Sequence, residues 1–343
     1  MRQHEITRSR PLLDSRGNIA EPGFAKRLLP VYRRADVQAP AYRIKEWDYY
    51  LINNGRCAVA LTVADNGYMG MDSISFLDFE NHWQQTLSPM CAFPMGRRKM
   101  PESSGTGDVA VSGKGYELAF RHTAEGRLLI FKMENFAGGR PIEGRILLTD
   151  EPPESMVICT PFRKRGHFYF NQKINCMRAS GWVSVRGRRF EFEPETTFAV
   201  LDWGRGVWTY HNTWYWGSAS GAVDGVPFGW NIGYGFGDNS VATENMLFYE
   251  GRAHKLSRVT FNIPRRGGEF DYMSPWTFSS DDSRFEMDFR PVLDRAACTD
   301  FKLLKSDQHQ VFGRFTGTAT LDDGTVLRVE DFPGFAEKVE NKW

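Results

Sequence analysis

AYRIKEWDYYLINNGRCAVALTVADNGYMGMDSISFLDFE, Ala41 to Glu80, reads as three strands joined by two tight turns. Its apolar runs break at Asn53-Asn54-Gly55 and again at Asp65-Asn66-Gly67. Asn-Gly pairs tolerate the positive φ that joins neighbouring antiparallel strands, so the stretch predicts consecutive hairpins. Within KEWDYY, alternation puts Trp47 and Tyr49 on one face, where they read as core.

The same grammar continues in both directions. Downstream, YELAFRH and RLLIFKME are joined through Thr123-Ala124-Glu125-Gly126, and GRILLTD, SMVICTP, FYFNQKINC, GWVSVRG and RRFEFEP follow as short strands with turn residues between them. After an aromatic stretch come SRVTFNIP, RFEMDFRP and VFGRFTGTATLDDGTVLRVEDF, the last a hairpin turning at Asp322-Asp323-Gly324. Only the tail, FAEKVENKW, reads as a short helix, and Pro89 to Gly115 reads as a long exposed loop with one short strand. Residues 1–40, rich in Arg, Pro and Gly, read as an extended arm that covers an edge. The fold class is all-β. At this length one barrel would be overfilled, so two successive antiparallel barrels or barrel-like sandwiches are expected, over 41–195 and 196–343, with the boundary near Glu193 to Thr197.

Composition narrows the partners. The 43 Lys and Arg nearly cancel the 42 Asp and Glu, so no overall field steers the chain to nucleic acid or an anionic membrane. The clusters Arg97 to Lys99 and Arg163 to Arg165 read as solvated turns. Five widely spaced cysteines without a CxxC pair indicate neither a disulfide framework nor a zinc knuckle, and suit a reducing cytoplasm. No apolar run is long enough for a membrane-spanning helix, and the N-terminus lacks a signal-peptide core.

LDWGRGVWTYHNTWYWGSASG, Leu201 to Gly221, holds the candidate site. Trp203, Trp208, Tyr210, Trp214, Tyr215 and Trp216 crowd beside Asp202, Arg205 and His211, a ring density suited to a concave site. Trp214 and Trp216 share one face of a strand, and the glycines flanking Arg205 read as a sharp bend leaving Asp202 and Arg205 at the mouth. Asp202 and Arg205 read equally as a catalytic pair or as a structural ion pair. His211 reads as a loop histidine or a proton shuttle, and Glu244 as a turn group or a ligand contact.

Other motifs fail on context. GTGDVA at Gly105 has no preceding strand or following helix, and the same loop lacks P-loop spacing and its Ser or Thr. GSASG at Gly217 places Ala219 where a nucleophile would stand. The seven histidines form no HxH or HExxH pattern, so no metal and no cofactor are expected.

Several blocks in order, PLLDSRGN, EPGFAKR, RIKEWDYY, LDWGRGVW to YWGSASG, ATENMLFYEGRAHKL and GFAEKVENKW, resemble the domain-of-unknown-function family 2804 over essentially the whole chain. More distantly the chain is similar to the lipocalin-like double-barrel group that includes carotenoid 1,2-hydratases (hydroxyneurosporene synthases) and some fungal pericyclases. That resemblance implies lipocalin-like barrels and matches its signature of an aspartate before Trp-Gly, a Trp-rich strand and a late glutamate to Asp202-Trp203-Gly204, Trp214, Trp216 and Glu337. The chain departs from it in lacking a histidine after Asp202 and in adding Arg205-Gly206, which bears on the reaction more than on the architecture.

An aspartate among indoles loses solvation and holds its proton, as an acid protonating an alkene must, while ring faces stabilise the cation formed. The expected function is therefore binding of a hydrophobic or amphipathic small molecule, lipid- or polyene-like, with acid-assisted hydration, isomerisation or cyclisation. Asp202, Arg205 and Glu337 are the candidate catalytic residues; Trp203, Trp208, Tyr210, His211, Trp214, Trp216, Tyr234 and Glu244 are the candidate ligand contacts. Two alternatives stay open: a carrier or sensor without chemistry, and a carbohydrate-binding or carbohydrate-active protein.

Overall fold

The computed structural model describes residues 3–301 and 304–342. Two large curled sheets, each antiparallel throughout, account for the architecture. The first runs in spatial order Trp83–Leu87, Met69–Asp78, Cys57–Asp65, Ile44–Asn53, Phe198–Val207, Phe168–Val185, Arg140–Thr149, Arg127–Ala137, Tyr116–His122 and Val109–Gly113. The second runs Arg252–Lys255, Met246–Tyr249, Val226–Tyr234, His211–Val223, Val326–Lys342, Leu304–Thr320, Phe285–Phe301, Trp276–Ser280 and Val259–Asn262. These are two successive lipocalin-like barrels. The chain passes from one sheet to the other at Trp208 to Tyr210, after Phe198–Val207, which is paired on both sides within the first sheet, and before His211–Val223 of the second.

The hairpins follow the turn chemistry. Gly55, Gly67 and Gly324 all take positive φ in the turns read from the sequence. Alternation then sorts each strand between two environments. In Phe198–Val207, Ala199, Leu201, Trp203 and Val207 pack into the first barrel's core, whereas Val200 turns outward against Trp216, Phe312 and Phe335 of the second. A further apolar cluster brings Tyr169 and Cys176 of the first barrel against Phe236, Met246 and Phe248 of the second. The barrels therefore share a buried seam.

Four sequence expectations change. Asp202 to Gly206 is not a bend but the middle of a continuous strand. Its Gly204 is needed because the Trp47 ring lies across it, and a Cβ there would sit 1.9 Å from that ring. FYFNQKINC and GWVSVRG form one strand, Phe168–Val185, with a register shift between Ile174 and Met177 and Cys176 at φ 64. The tail is a strand, Val326–Lys342, because pairing to strands on both sides outweighs its local helix propensity. The loop from Pro89 to Gly115 holds two short strands, Met90–Ala92 and Val109–Gly113.

The arm does cover an edge: Gly23–Ala25 pairs with Met156–Pro161. It also crosses to the second barrel, where Gln3 Nε2 donates to the Leu256 carbonyl at 2.7 Å and Gln3 Oε1 accepts from the Thr243 amide at 2.7 Å.

Candidate functional site

Register brings two rows of side chains face to face across the seam. In the first sheet Tyr49, Asp202 and Lys173 stand directly opposite one another on three adjacent strands. In the second, Trp216, Glu337 and Gln310 do the same. The rows touch. Lys173 Nζ lies 3.8 Å from the Trp216 ring centroid, and the Tyr49 hydroxyl donates to Gln310 Oε1 at 3.4 Å.

Asp202 contacts two groups on its neighbouring strand: Lys173 Nζ at 3.1 Å and Asn171 Nδ2 at 2.6 Å. Glu337 has a different setting. It is 4% exposed and accepts from two neutral donors, Trp214 Nε1 at 3.0 Å and Gln310 Nε2 at 2.9 Å. Burial pushes its carboxyl up to about 7, with the Asp202 charge adding to the rise, while the Trp214 hydrogen bond, Arg295 and Lys173 pull the other way. Glu244 lies at the far end of the cluster. Trp216 Nε1 donates to Asn231 Oδ1 at 2.7 Å, and Asn231 Nδ2 donates to the Glu244 carbonyl at 2.9 Å and reaches its carboxyl at 3.5 Å. Burial raises the Glu244 carboxyl as well. Burial also raises the Tyr169 phenol, with the charges of Glu244, Asp202 and Glu337 acting in the same direction. Asn171 Oδ1 and Asn175 Oδ1 are buried without a partner.

An aromatic collar closes the cluster on one side. Phe236 is its hub, with centroids 4.7 Å from Tyr169, 4.9 Å from Trp208, 5.2 Å from Trp214 and 5.2 Å from Phe162, all edge to face. Trp47 stacks on Tyr169 and meets Trp208 edge-on. Trp47, Trp208 and Trp214 are half-buried, so this is the thin side of the seam. Phe236 rides between Gly235 and Gly237, both at positive φ. The seam is otherwise tightly packed, with a void of only about 10 Å³ beside Leu51, Val200 and Phe335. A hollow of about 560 Å³ lies elsewhere, on the first barrel's outer face around Leu128, Leu147 and Trp182.

The structure thus gathers Asp202, Glu337, Glu244, Trp208, Trp214 and Trp216 along the seam and disperses the rest. Asp202 and Arg205, three residues apart on one strand, point to opposite faces and form no pair. Arg205 is instead buried in the first barrel, bonded to Asp48 at 3.1 Å and to the carbonyls of Trp47, Gly204 and Pro101. Trp203 is core of the same barrel. Tyr210 is exposed, and exposed His211 meets Glu340 at 3.2 Å. Tyr234 stacks on Tyr215 against the second barrel's core. The sequence reading passed over Lys173, Asn171, Tyr169, Asn231, Gln310 and Phe236. One signal was present: Asn171, Lys173 and Asn175 recur at every second position of the strand.

The family model for the domain of unknown function DUF2804 matches residues 3–343. The chain belongs to that family. No curated protein is similar to it. Among solved structures, this DUF2804 chain is similar to a putative AttH from Nitrosomonas europaea, at 11% identity, a TM-score of 0.53, and coverage of 91% of this chain and 96% of that one. That likeness shows the fold. Kievitone hydratase from Nectria haematococca (10% identity, TM-score 0.46, 97% and 98% covered) and CghA (13%, 0.47, 98% and 97%) are similar over comparable lengths. Among the described residues no group of three or more His, Cys, Asp or Glu is placed to hold a metal, and no helix is long and apolar enough to cross a membrane.

Proposed function

We propose that the protein binds a hydrophobic or amphipathic small molecule at the seam between its barrels and that Glu337 protonates it. The observation that carries this reading is the Glu337 carboxyl, buried behind an aromatic collar, hydrogen-bonded only by neutral donors and raised to about 7. Such a group still holds its proton near neutrality and can give it up. Asp202, beside it, is already paired with Lys173 and Asn171. In the step proposed, a π bond of the ligand takes the Glu337 proton and the electron pair becomes a new C–H bond. The resulting cation is closed by water, by loss of a neighbouring proton or by a second π bond, giving hydration, isomerisation or cyclisation. Attack by the second π bond leaves a new cation, which itself takes water or loses a proton, so in every outcome one proton is released and restores Glu337.

The enclosed setting supports this reading over carbohydrate work, which calls for an open groove. The carrier reading is separated by product. Native mass spectrometry and solvent extraction of the purified protein identify what it holds, and that compound is then returned to stripped protein. Conversion by wild type but not by Glu337→Gln supports the acid; recovery of the compound unaltered supports a carrier. A protein that holds nothing apolar and does not bind retinol, a neutral polyene probe, overturns the seam as a ligand site.

A further inference from the structure

The collar and the carboxyls are contiguous, and together they specify more than apolarity. Trp214 belongs to both, since its ring packs against Phe236 while its Nε1 donates to Glu337. Tyr169 belongs to both as well, packing edge-on to Phe236 with its phenol in the field of Asp202, Glu244 and Glu337. Three buried carboxyls share this region, and among the described residues Lys173 is the one cation in contact with any of them; its partner is Asp202. The other positive charges acting on the cluster are engaged elsewhere. Arg295 donates to Ser75 Oγ at 2.9 Å, and Lys255 Nζ donates to Thr243 Oγ1, the Asn245 carbonyl and the Leu256 carbonyl. Among the described residues, the hydrogen-bond partners of the Glu337 and Glu244 carboxyls are neutral groups.

Two independent features say what is missing. Asn171, fully buried, spends its Nδ2 on Asp202 and the Trp203 carbonyl and leaves Oδ1 without a donor. Phe236 fills the centre of a ring box on a two-glycine tether, with four aromatic rings edge to face around it. A box of Tyr, Phe and Trp beside surplus carboxylate is the arrangement that recognises organic cations, through ring quadrupoles at one end and full charges at the other.

Resting on the reading of the seam as a ligand site, we infer that its ligand is an organic cation of ammonium type, whose charged head takes the place of the Phe236 ring among Phe162, Tyr169, Trp208 and Trp214 and faces Glu337 and Glu244. Phe236 is then the plug of the unliganded state. The carboxyls that lack an ionic partner among the described residues gain one on binding.

The test uses three probes of nearly one shape on the full chain: benzyltrimethylammonium, its neutral isostere neopentylbenzene and the anion phenylacetate. Affinities are read by ligand-observed NMR and by tryptophan fluorescence. The cation is expected to bind about tenfold or more tightly than the isostere, and phenylacetate weakest. Phe236→Ala is expected to tighten cation binding several-fold, and Glu337→Gln with Glu244→Gln to narrow the gap between cation and isostere. Equal or tighter binding of the isostere would leave the ligand site standing and overturn its charge class, as would a preference for phenylacetate. Failure of all three probes on both wild type and Phe236→Ala would overturn the inference together with the seam as a ligand site.

Discussion

Glu337 and Asp202 are two buried acids at the seam, and each makes a separate prediction about stability. The Glu337 carboxyl moves from 4.5 to about 7 on folding. Between those values the unfolded chain has lost the proton and the folded protein still holds it, so the unfolded state binds fewer protons and stability falls as pH rises through this window. Above about 7 this contribution stops changing. Glu337→Gln removes it, so urea denaturation should show the variant gaining on wild type between pH 5 and pH 8 by on the order of 2–3 kcal/mol. A constant difference across that range would mean that Glu337 titrates normally. For Asp202 the partner matters more than the acid. Asp202→Asn strands the Lys173 ammonium in a buried site and should cost about 3–5 kcal/mol, while Lys173→Met with Asp202→Asn should recover much of that loss. The double-mutant cycle reads the pair directly.

At the scale of elements, Gly204 and the Gly235 to Gly237 turn do different work with the same residue type. Gly204 permits a close approach: its strand and the strand of Trp47 can pack only where no Cβ intervenes. Gly204→Ala should therefore lower stability by about 1–3 kcal/mol or more, and Trp47→Phe in the same chain should relieve part of it. Additive losses in the denaturation midpoints would show that the clash is not the cause. The turn at Gly235 to Gly237 sets Phe236 into the collar, and a Cβ on Gly235 would lie 2.7 Å from the Thr213 carbonyl. Phe236→Ala should raise acrylamide quenching of the tryptophans, since Trp208 and Trp214 lose the ring that covers them. Unchanged quenching would mean that the collar stays shut without it.

The whole molecule is two barrels that share one interior boundary. Asn175 Nδ2 of the first donates to Ser218 Oγ at 2.8 Å and to the Trp230 carbonyl at 3.1 Å of the second, and Arg314 bonds back to the Gly55 carbonyl. Two apolar clusters also draw on both barrels. Shared apolar clusters and hydrogen bonds across the seam should couple the barrels, so calorimetry is expected to give a single unfolding transition. Two resolved transitions would show that each barrel stands alone. The arm adds to the coupling, because Gln3 and the Gly23–Ala25 strand fasten it to different barrels.

The amino-acid sequence determined the strands, most of the tight turns and the pairing of Trp214 with Trp216 on one face, because alternation and turn chemistry are local and act within a few residues. It also marked Asp202, and the family resemblance marked Glu337; 135 positions separate them, and the Asp202 charge acts on the Glu337 carboxyl. Tertiary structure alone decided the roles. It turned Arg205 and Trp203 into the first barrel by the parity of one strand, drew the tail into a strand by pairing on both sides, and set Lys173 against Asp202 by register. Protonation followed the same rule. Whether a carboxyl is an acid or a fixed anion depends on who faces it after two sheets have curled and packed, and that is a long-range property no local pattern encodes.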